Sequence, residues 1–456
     1  MTAGGWEIYG ELYGTAAMRE IFSARRRLRA MLDVEVALAR AQARLGIIPA
    51  AAADAIAAAA DVDRLDVAAI AARTNVVGYP VVPLTAQLAR LAGADAGRYV
   101  HWGATTQDIL DTATVLQLGD ALSLIEADVR GIVDALAQRA RVHRDDVMAG
   151  RTHLQHALPI TFGYACALWL QPLVAHLDRL RDVREQVRTV QFGGAVGTLA
   201  SLGARGRDVT TALAGELDLR IPDAPWHADR SAFAGVACAL ALLCGSLAKF
   251  ATDVALLMQT EVAEVFEPHE PGRGGSSAMP QKRNPIASEY VLAATRGVHA
   301  LVPVMLAAMA GDHQRSTGPW QSEEIALPQI CVLASAACAH ALQIARGMTV
   351  DTARMRRNVD ASGGLIVAET VATALAPSLG QERAHAAVER AASAARESHR
   401  AFSDVLAETP EIAERFDRAA LAELLDPARS TGEAGAVIDR ILARVPAHST
   451  RNEGSP

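Results

Sequence analysis

The sequence predicts an all-α chain, and three observations carry that expectation. Half of its 456 residues are hydrophobic but only 4% are aromatic, and alanine, the best helix former, is abundant. Three segments are very long for globular helices: 107–141 has no proline, 161–190 has one (Pro172), and none lies between Pro225 and Pro268. Forty helical residues would run about 60 Å, far beyond the usual three or four turns. No run of alternating polar and apolar residues reads as a β-strand.

Taken in order, Ser23 to Leu45 carries apolar residues at helical spacing (Leu28, Met31, Leu32, Val36, Leu38) with arginines on another face. Gly46 and Pro49 end it. Residues 50–60 form an alanine-rich helix, and Asn75 to Pro83, with two prolines and a glycine, reads as non-helical. Residues 1–105 are therefore read as an N-terminal helical domain. Residues 106–350 form a central domain in which 284–310 and 322–348 add two more helices, each bent by a proline (Pro303, Pro328). These helices are apolar round too much of their circumference to be solvated singly, which predicts packing against other subunits. From 351 to 447, shorter helices punctuated by Gly363-Gly364, Pro377, Gly380 and Pro410 predict a small C-terminal helical domain, and the polar tail 448–456 reads as disordered.

Net charge is −7 with both signs interspersed, so no basic face is offered to nucleic acid. The five cysteines (Cys166, Cys238, Cys244, Cys331, Cys338) are odd in number, lie in apolar stretches and form no Cys-x-x-Cys pair. They read as buried thiols of a reducing compartment. No histidine pair has zinc spacing, so no metal is expected. The N-terminus lacks the basic start and apolar run of a signal peptide. The most apolar window, Phe233 to Leu247, is followed by Lys249 and Asp253 and reads as too short to span a bilayer. The expected location is the cytoplasm.

Residues 274–285, Gly-Gly-Ser-Ser-Ala-Met-Pro-Gln-Lys-Arg-Asn-Pro, cannot sit in an apolar core, because their hydroxyls, cations and amides would lose solvation. Glycines beside serines suit a loop that brings backbone N–H groups close to a ligand. The string resembles the signature loop of the fumarase/aspartase superfamily, Gly-Ser-Ser-x-Met-Pro-x-Lys-x-Asn-Pro, at Gly275, Ser276, Ser277, Met279, Pro280, Lys282, Asn284 and Pro285. Two further segments resemble its other signature regions, His101-Trp-Gly-Ala-Thr-Thr-Gln-Asp108 and Gly150-Arg-Thr-His-Leu-Gln-His-Ala-Leu-Pro159. Thr105, Thr106 and Gln107 stand where the chain enters a long helix, whose loose N–H groups favour a carboxylate.

The resemblance implies a three-part, cofactor-free fold whose central helices assemble into a homotetrameric bundle with active sites shared between subunits. It also implies a reaction: elimination of a group β to a carboxylate of a small polycarboxylate substrate, or a lactonising version of it. Ser276 takes the proton next to that carboxylate, and donors preorganised around the resulting aci-carboxylate supply most of the rate. Thr106, Ser277, Lys282 and Asn284 hold the carboxylate. His153, charged by Glu289, serves the leaving group. Thr105, Gln107, Thr152, Gln155, Gln191 and Met279 complete the binding site, with Arg19, His101, Arg315 and Trp320 as pocket walls.

Over nearly the whole chain the sequence is similar to bacterial 3-carboxy-cis,cis-muconate cycloisomerases, notably at 17–23, 31–35, 190–195, 317–320 and 353–358. That branch carries tryptophan in place of His153 and histidine in place of Gln281. Gln281 is similar to argininosuccinate lyases and Ala278 to adenylosuccinate lyases. Ser322-Glu-Glu-Ile325 lacks the arginine that adenylosuccinate lyases use for a nucleotide phosphate, and its acidic pair would repel one. The expected activity is therefore β-elimination from a 2-substituted succinate, losing an amine or nitrite and forming fumarate. The alternative is the cycloisomerase reaction of aromatic (protocatechuate) catabolism. A non-catalytic helical scaffold is a remote third reading, against which the complete loop argues.

Overall fold

The computed structural model describes residues 6–269, 272, 274, 275, 279 and 281–445. Helices dominate, as expected. Short ones lead: α1 (Trp6–Tyr13), α2 (Ala16–Ile21), α3 (Ala24–Arg44), α4 (Ala50–Ala59), α5 (Val67–Val77), α6 (Val81–Ala92) and α7 (Ala94–Gly97). The long helices are α8 (Thr106–Val142), α9 (Phe162–Val187), α11 (Ser231–Leu257), α12 (Ile286–Ala308) and α13 (Pro319–Gly347), with the shorter α10 (Gly206–Leu217) after α9. Short helices follow from α14 (Thr352–Asp360) through α15 (Ala368–Leu379) and α16 (Gln381–Ser398). The chain divides into two compact units, one of Met1–Asp128, His176–Gly245 and Tyr290–Ala339, the other of Val129–Ala175, Ser246–Glu289 and His340–Pro456.

In the first unit, Ser23 caps α3 by accepting the Arg26 N–H, and Gly46, at φ +69°, closes it. Leu28, Met31, Leu32 and Leu38 are buried as expected, but Val36 is only half-buried, and Val34 and Glu35 go inside instead. Leu28, Met31, Leu32 and Val34 pack with Ile56, Leu84 and Leu88 and with Ile109, Leu110 and Ala113 of α8, whereas Leu38 packs with Val190 and Phe192. Each such buried aliphatic side chain contributes about 1.5–3 kcal/mol. In the second unit, Val371, Leu375, Val388, Phe402 and Leu406 form a separate core over α15 and α16.

Several expectations are corrected. Asn75–Pro83 is mostly helical: α5 runs to Val77, Gly78 (φ +88°) caps it, and α6 starts at Val81. Pro83 falls in the first turn of α6, where a missing N–H costs nothing. The helix between Pro225 and Pro268 is 27 residues long rather than forty, starting where Ser231 N–H meets the Asp229 carboxylate. Even so, α11, α12 and α13 are each long and apolar enough to cross a membrane by length and composition, and the window Phe233–Leu247, read as too short to span a bilayer, is part of α11. Four cysteines are buried, and Cys238 is half-buried. The tail 448–456 lies outside the described residues.

Strands also occur. β1 (Val147–Thr152) and β2 (Gln155–Thr161) form an antiparallel hairpin, and β3 (Val265–Phe266) pairs with β4 (Thr349–Val350). The hairpin turn is His153-Leu154, both at positive φ (53° and 62°), as a two-residue loop requires. Neither residue is the glycine or asparagine that usually marks such a turn, and a register shift between Ala149 and Arg151 breaks the alternation.

Candidate active site

Each unit carries one group of the expected site residues. In the first, Thr105 precedes α8 and Asp108 is its third residue. The Asp108 carboxylate is fully buried and accepts four hydrogen bonds. Oδ2 takes the N–H of Thr105 (2.9 Å) and of Gly194 (3.0 Å); Oδ1 takes the N–H of Gly193 (2.9 Å) and His227 Nε2 (2.7 Å). An ionised carboxylate only accepts, so the His227 proton is on Nε2. Gly103 and Gly194 both have positive φ, and a Cβ on Gly194 would lie 3.2 Å from the Gly103 carbonyl oxygen. The close approach of the two segments needs a bare Cα at Gly194, while the bare Gly103 leaves room for the Leu202 side chain.

Arg315 bridges the same two segments, donating from Nη2 to Thr105 Oγ1 (2.7 Å) and to the Ala195 carbonyl (3.2 Å). Thr105 Oγ1 thus faces a cation, and the N–H groups of Thr106 and Gln107 have no acceptor among the described residues. They form the positive end of a 37-residue helix, a ready carboxylate receptor. Gln107 is buried; its Nε2 donates to Asp111 Oδ2 (3.1 Å) and to the His227 carbonyl (2.9 Å), and its Oε1 has no partner among the described residues. Gln191 is likewise buried, accepting the Trp226 N–H on Oε1 (3.1 Å), and its Nε2 has no partner among the described residues.

The buried face of α3 grips this region from behind. Glu35 accepts His101 Nδ1 (2.6 Å) and the His101 N–H (3.1 Å), and Gln42 Nε2 donates to the Trp102 carbonyl (2.7 Å). Burial opposes protonation of His101, but the Glu35 carboxylate outweighs it and holds the imidazole pKa above its ordinary value. Arg19 uses its donors on the Gly10 and Gly14 carbonyls and on Glu11. Trp320 is buried against Tyr79 (ring centroids 5.8 Å apart) and lines a cavity of about 270 Å³ with Arg27, Asp111, Glu323 and Glu324. Asp111 and Glu323 share the single cation of Arg230, and Glu324 lies in the same cavity with Arg27.

In the second unit, the hairpin turn presents Thr152, His153 and Gln155, all exposed. Arg151 fixes its base through two bonds to the buried Glu264 carboxylate (2.7 and 2.9 Å), which also accepts Asn358 Nδ2 (2.7 Å). The ends of the signature loop are held together: Gly275 pairs with Arg283, and Asn284 N–H reaches the Gly274 carbonyl (2.9 Å). Arg283 lies over the Phe266 ring and donates to the Glu267 carbonyl (3.1 Å). Glu267 caps α12, accepting Ala287 N–H (2.9 Å) and both Ser288 N–H and Oγ (2.7 Å each). Met279 and Lys282 are exposed, Asn284 is half-buried, and Glu289 is exposed in the first turn of α12. Neither His153 nor Glu289 has a side-chain hydrogen bond or ion pair among the described residues. Ser276 and Ser277 lie outside the described residues.

Asp108, His227, Glu35 and Glu264 were not singled out from sequence. Asp108 carries a visible signal, the Thr-x-x-Asp spacing of a helix start.

Long helices, a helix end with open N–H groups and the sequence of the signature loop are those of an enzyme of the fumarase/aspartase superfamily, and the chain belongs to it. Residues 12–299 match the family described as Lyase, and 364–441 match Adenylosuccinate lyase C-terminus. The chain is 44% identical over 440 residues, 96% of both chains, to a 3-carboxy-cis,cis-muconate cycloisomerase of Pseudomonas aeruginosa. It is 37% identical over 435 residues (95% of this chain, 96% of the other) to an N-acetyl-S-(2-succino)cysteine lyase of Dickeya dadantii. Its fold matches the crystal structure of the 3-carboxy-cis,cis-muconate lactonizing enzyme from Pseudomonas putida with a TM-score of 0.93 and 44% identity, covering 96% of this chain and 99% of that one.

Proposed function

We propose that this enzyme is a 3-carboxy-cis,cis-muconate cycloisomerase acting in the cytoplasm as a homotetramer. The observation that carries the reading is similarity from end to end, 44% identity across 96% of both chains, to a cycloisomerase. It supports this reading better than the succinate elimination expected from sequence. In the reaction, one substrate carboxylate oxygen bonds to the carbon β to another carboxylate. The double-bond electrons pass into that second carboxylate as an aci-carboxylate, and its α carbon takes up a proton. A lactone forms and no group is lost.

Lactonisation and elimination share their central demand: donors fixed around the aci-carboxylate and a proton carrier at the α carbon. Thr105, Thr106, Gln107, Arg315, Ser277, Lys282 and Asn284 supply the donors, in a site shared between subunits. Ser276, the base in elimination, delivers the proton in the lactonising direction. His101, Gln191, Thr152, Gln155 and Met279 line the substrate.

The second reading is β-elimination from a 2-substituted succinate. The presence of His153 and Glu289 favours it, because an imidazole can pass a proton to a departing group, and so does the likeness to the succinocysteine lyase. The test is a spectrophotometric comparison. The purified enzyme receives 3-carboxy-cis,cis-muconate in one arm, and nitrosuccinate, aspartate, argininosuccinate and S-(2-succino)cysteine in the other. Loss of muconate absorbance without fumarate from any succinate supports the cycloisomerase. Fumarate release, with muconate untouched, overturns it.

A further inference from the structure

We infer that Asp108 is a positioning residue that sets the carboxylate receptor of the first unit, by tying the Thr105 segment to the Gly193-Gly194 segment so that Arg315 can hang between them. The inference rests on the reading that Thr105–Gln107 and Arg315 receive a substrate carboxylate.

A helix-capping carboxylate ordinarily serves its own helix end. Asp108 accepts one bond from that end, Thr105 N–H, and three from elsewhere: Gly193 N–H, Gly194 N–H and His227 Nε2. The two glycine bonds fix the peptide that leads to the Ala195 carbonyl, and the Thr105 bond fixes the backbone beneath Thr105 Oγ1. Those two oxygens are what Arg315 Nη2 holds. The position of the guanidinium thus depends on two segments that a buried carboxylate ties together, beside the close approach at Gly194 and the bonds of Thr112 Oγ1 to the Gln191 N–H and carbonyl. Both oxygens are neutral, and no carboxylate lies within ion-pair distance of Arg315 among the described residues, so its charge is left for a ligand. His227 completes the arrangement: its ring donates to Asp108 while its carbonyl orients the Gln107 amide.

Asp108→Asn keeps the size but turns one acceptor into a donor facing an N–H. Three variants decide the matter: Asp108→Asn, Arg315→Ala and the double. Hydrogen exchange, followed without substrate in peptides covering 103–108 and 192–196, reads the tie directly. Kinetics with the substrate that the enzyme turns over reads the consequence. The expected result is at least tenfold faster exchange at Gly193 and Gly194 in Asp108→Asn, beyond any rise in peptides remote from 103–108 and 192–196. KM should rise about tenfold or more while kcat falls less, and the double variant should be no worse than Arg315→Ala, as expected of residues acting as one unit. Wild-type exchange at 193–194 in Asp108→Asn overturns the inference, as do multiplicative effects of the two substitutions. An unchanged KM in Arg315→Ala refutes the receptor reading, and with it the functional half of the inference, whereas the exchange result judges the tie on its own.

Discussion

Arg230 offers the sharpest test of the energetics of the first unit. Its guanidinium donates to both Asp111 oxygens (2.7 and 2.9 Å) and both Glu323 oxygens (2.6 and 2.9 Å), with the Phe233 and Trp226 rings 4.8 and 5.3 Å away. The Arg230 side chain is 1% exposed, and those of Asp111 and Glu323 are 3% and 6% exposed. Arg230→Met keeps the apolar stem and strands two carboxylates in a site with little access to water. Removing one partner of a buried ionic group costs about 3–5 kcal/mol. Burial already pushes the Glu323 pKa up, and Arg230 is what restrains it. Without Arg230, burial and Asp111 push together. A carboxyl whose pKa is raised by folding contributes stability that is full below its unfolded pKa of about 4.3 and is lost as pH rises through the folded value. The deficit of Arg230→Met should therefore be largest near pH 8 and shrink toward pH 5. Adding Glu323→Met should recover part of the loss at pH 7.5 by removing one stranded charge. Urea unfolding followed by circular dichroism at both pH values measures this. A deficit under about 1 kcal/mol at pH 7.5 would contradict the cost assigned to a stranded buried charge, and a deficit growing as pH falls would refute the reasoning.

Three further outcomes are expected. Glu35→Gln removes the carboxylate that holds His101 charged, so NMR titration should show the His101 pKa falling. Because the wild-type value is raised, this stabilisation is complete below about pH 6.5 and lost as pH rises through the raised value, so an unchanged titration would refute the pairing. Burial pushes the Cys244 and Cys331 thiols up to about 12 and raises Cys166 and Cys338 as well. A thiol reagent at pH 8 should then label no more than Cys238 in the native protein and all five after denaturation; fast labelling of two or more contradicts this. Ser276→Ala should abolish turnover with an unchanged melting curve, and a near-normal rate would remove Ser276 from the role of proton carrier.

Long helices and signature segments were legible because each depends on local chemistry: proline-free apolar runs in one case, and hydroxyls, cations and amides at fixed spacing in the other. What escaped was pairing over distance. Asp108 meets His227 across 119 positions, and Glu35 meets His101 across 66. The hairpin escaped because His153 and Leu154 take a left-handed conformation with no glycine to announce it. Yet part of the support for the site was readable. Leu28, Met31, Leu32, Glu35, Leu38 and Gln42 follow one helical stripe at intervals of three and four. Preferring Val36 for its hydrophobicity ignored the period, which places Glu35 and Gln42 inside. A carboxylate and an amide on a stripe that packs must have partners, because burying them alone would cost several kcal/mol. Those partners are the His101 imidazole and N–H and the Trp102 carbonyl, the opening residues of a segment already marked for function. A polar residue that keeps the period of an apolar face thus points from the core of the fold to the candidate active site.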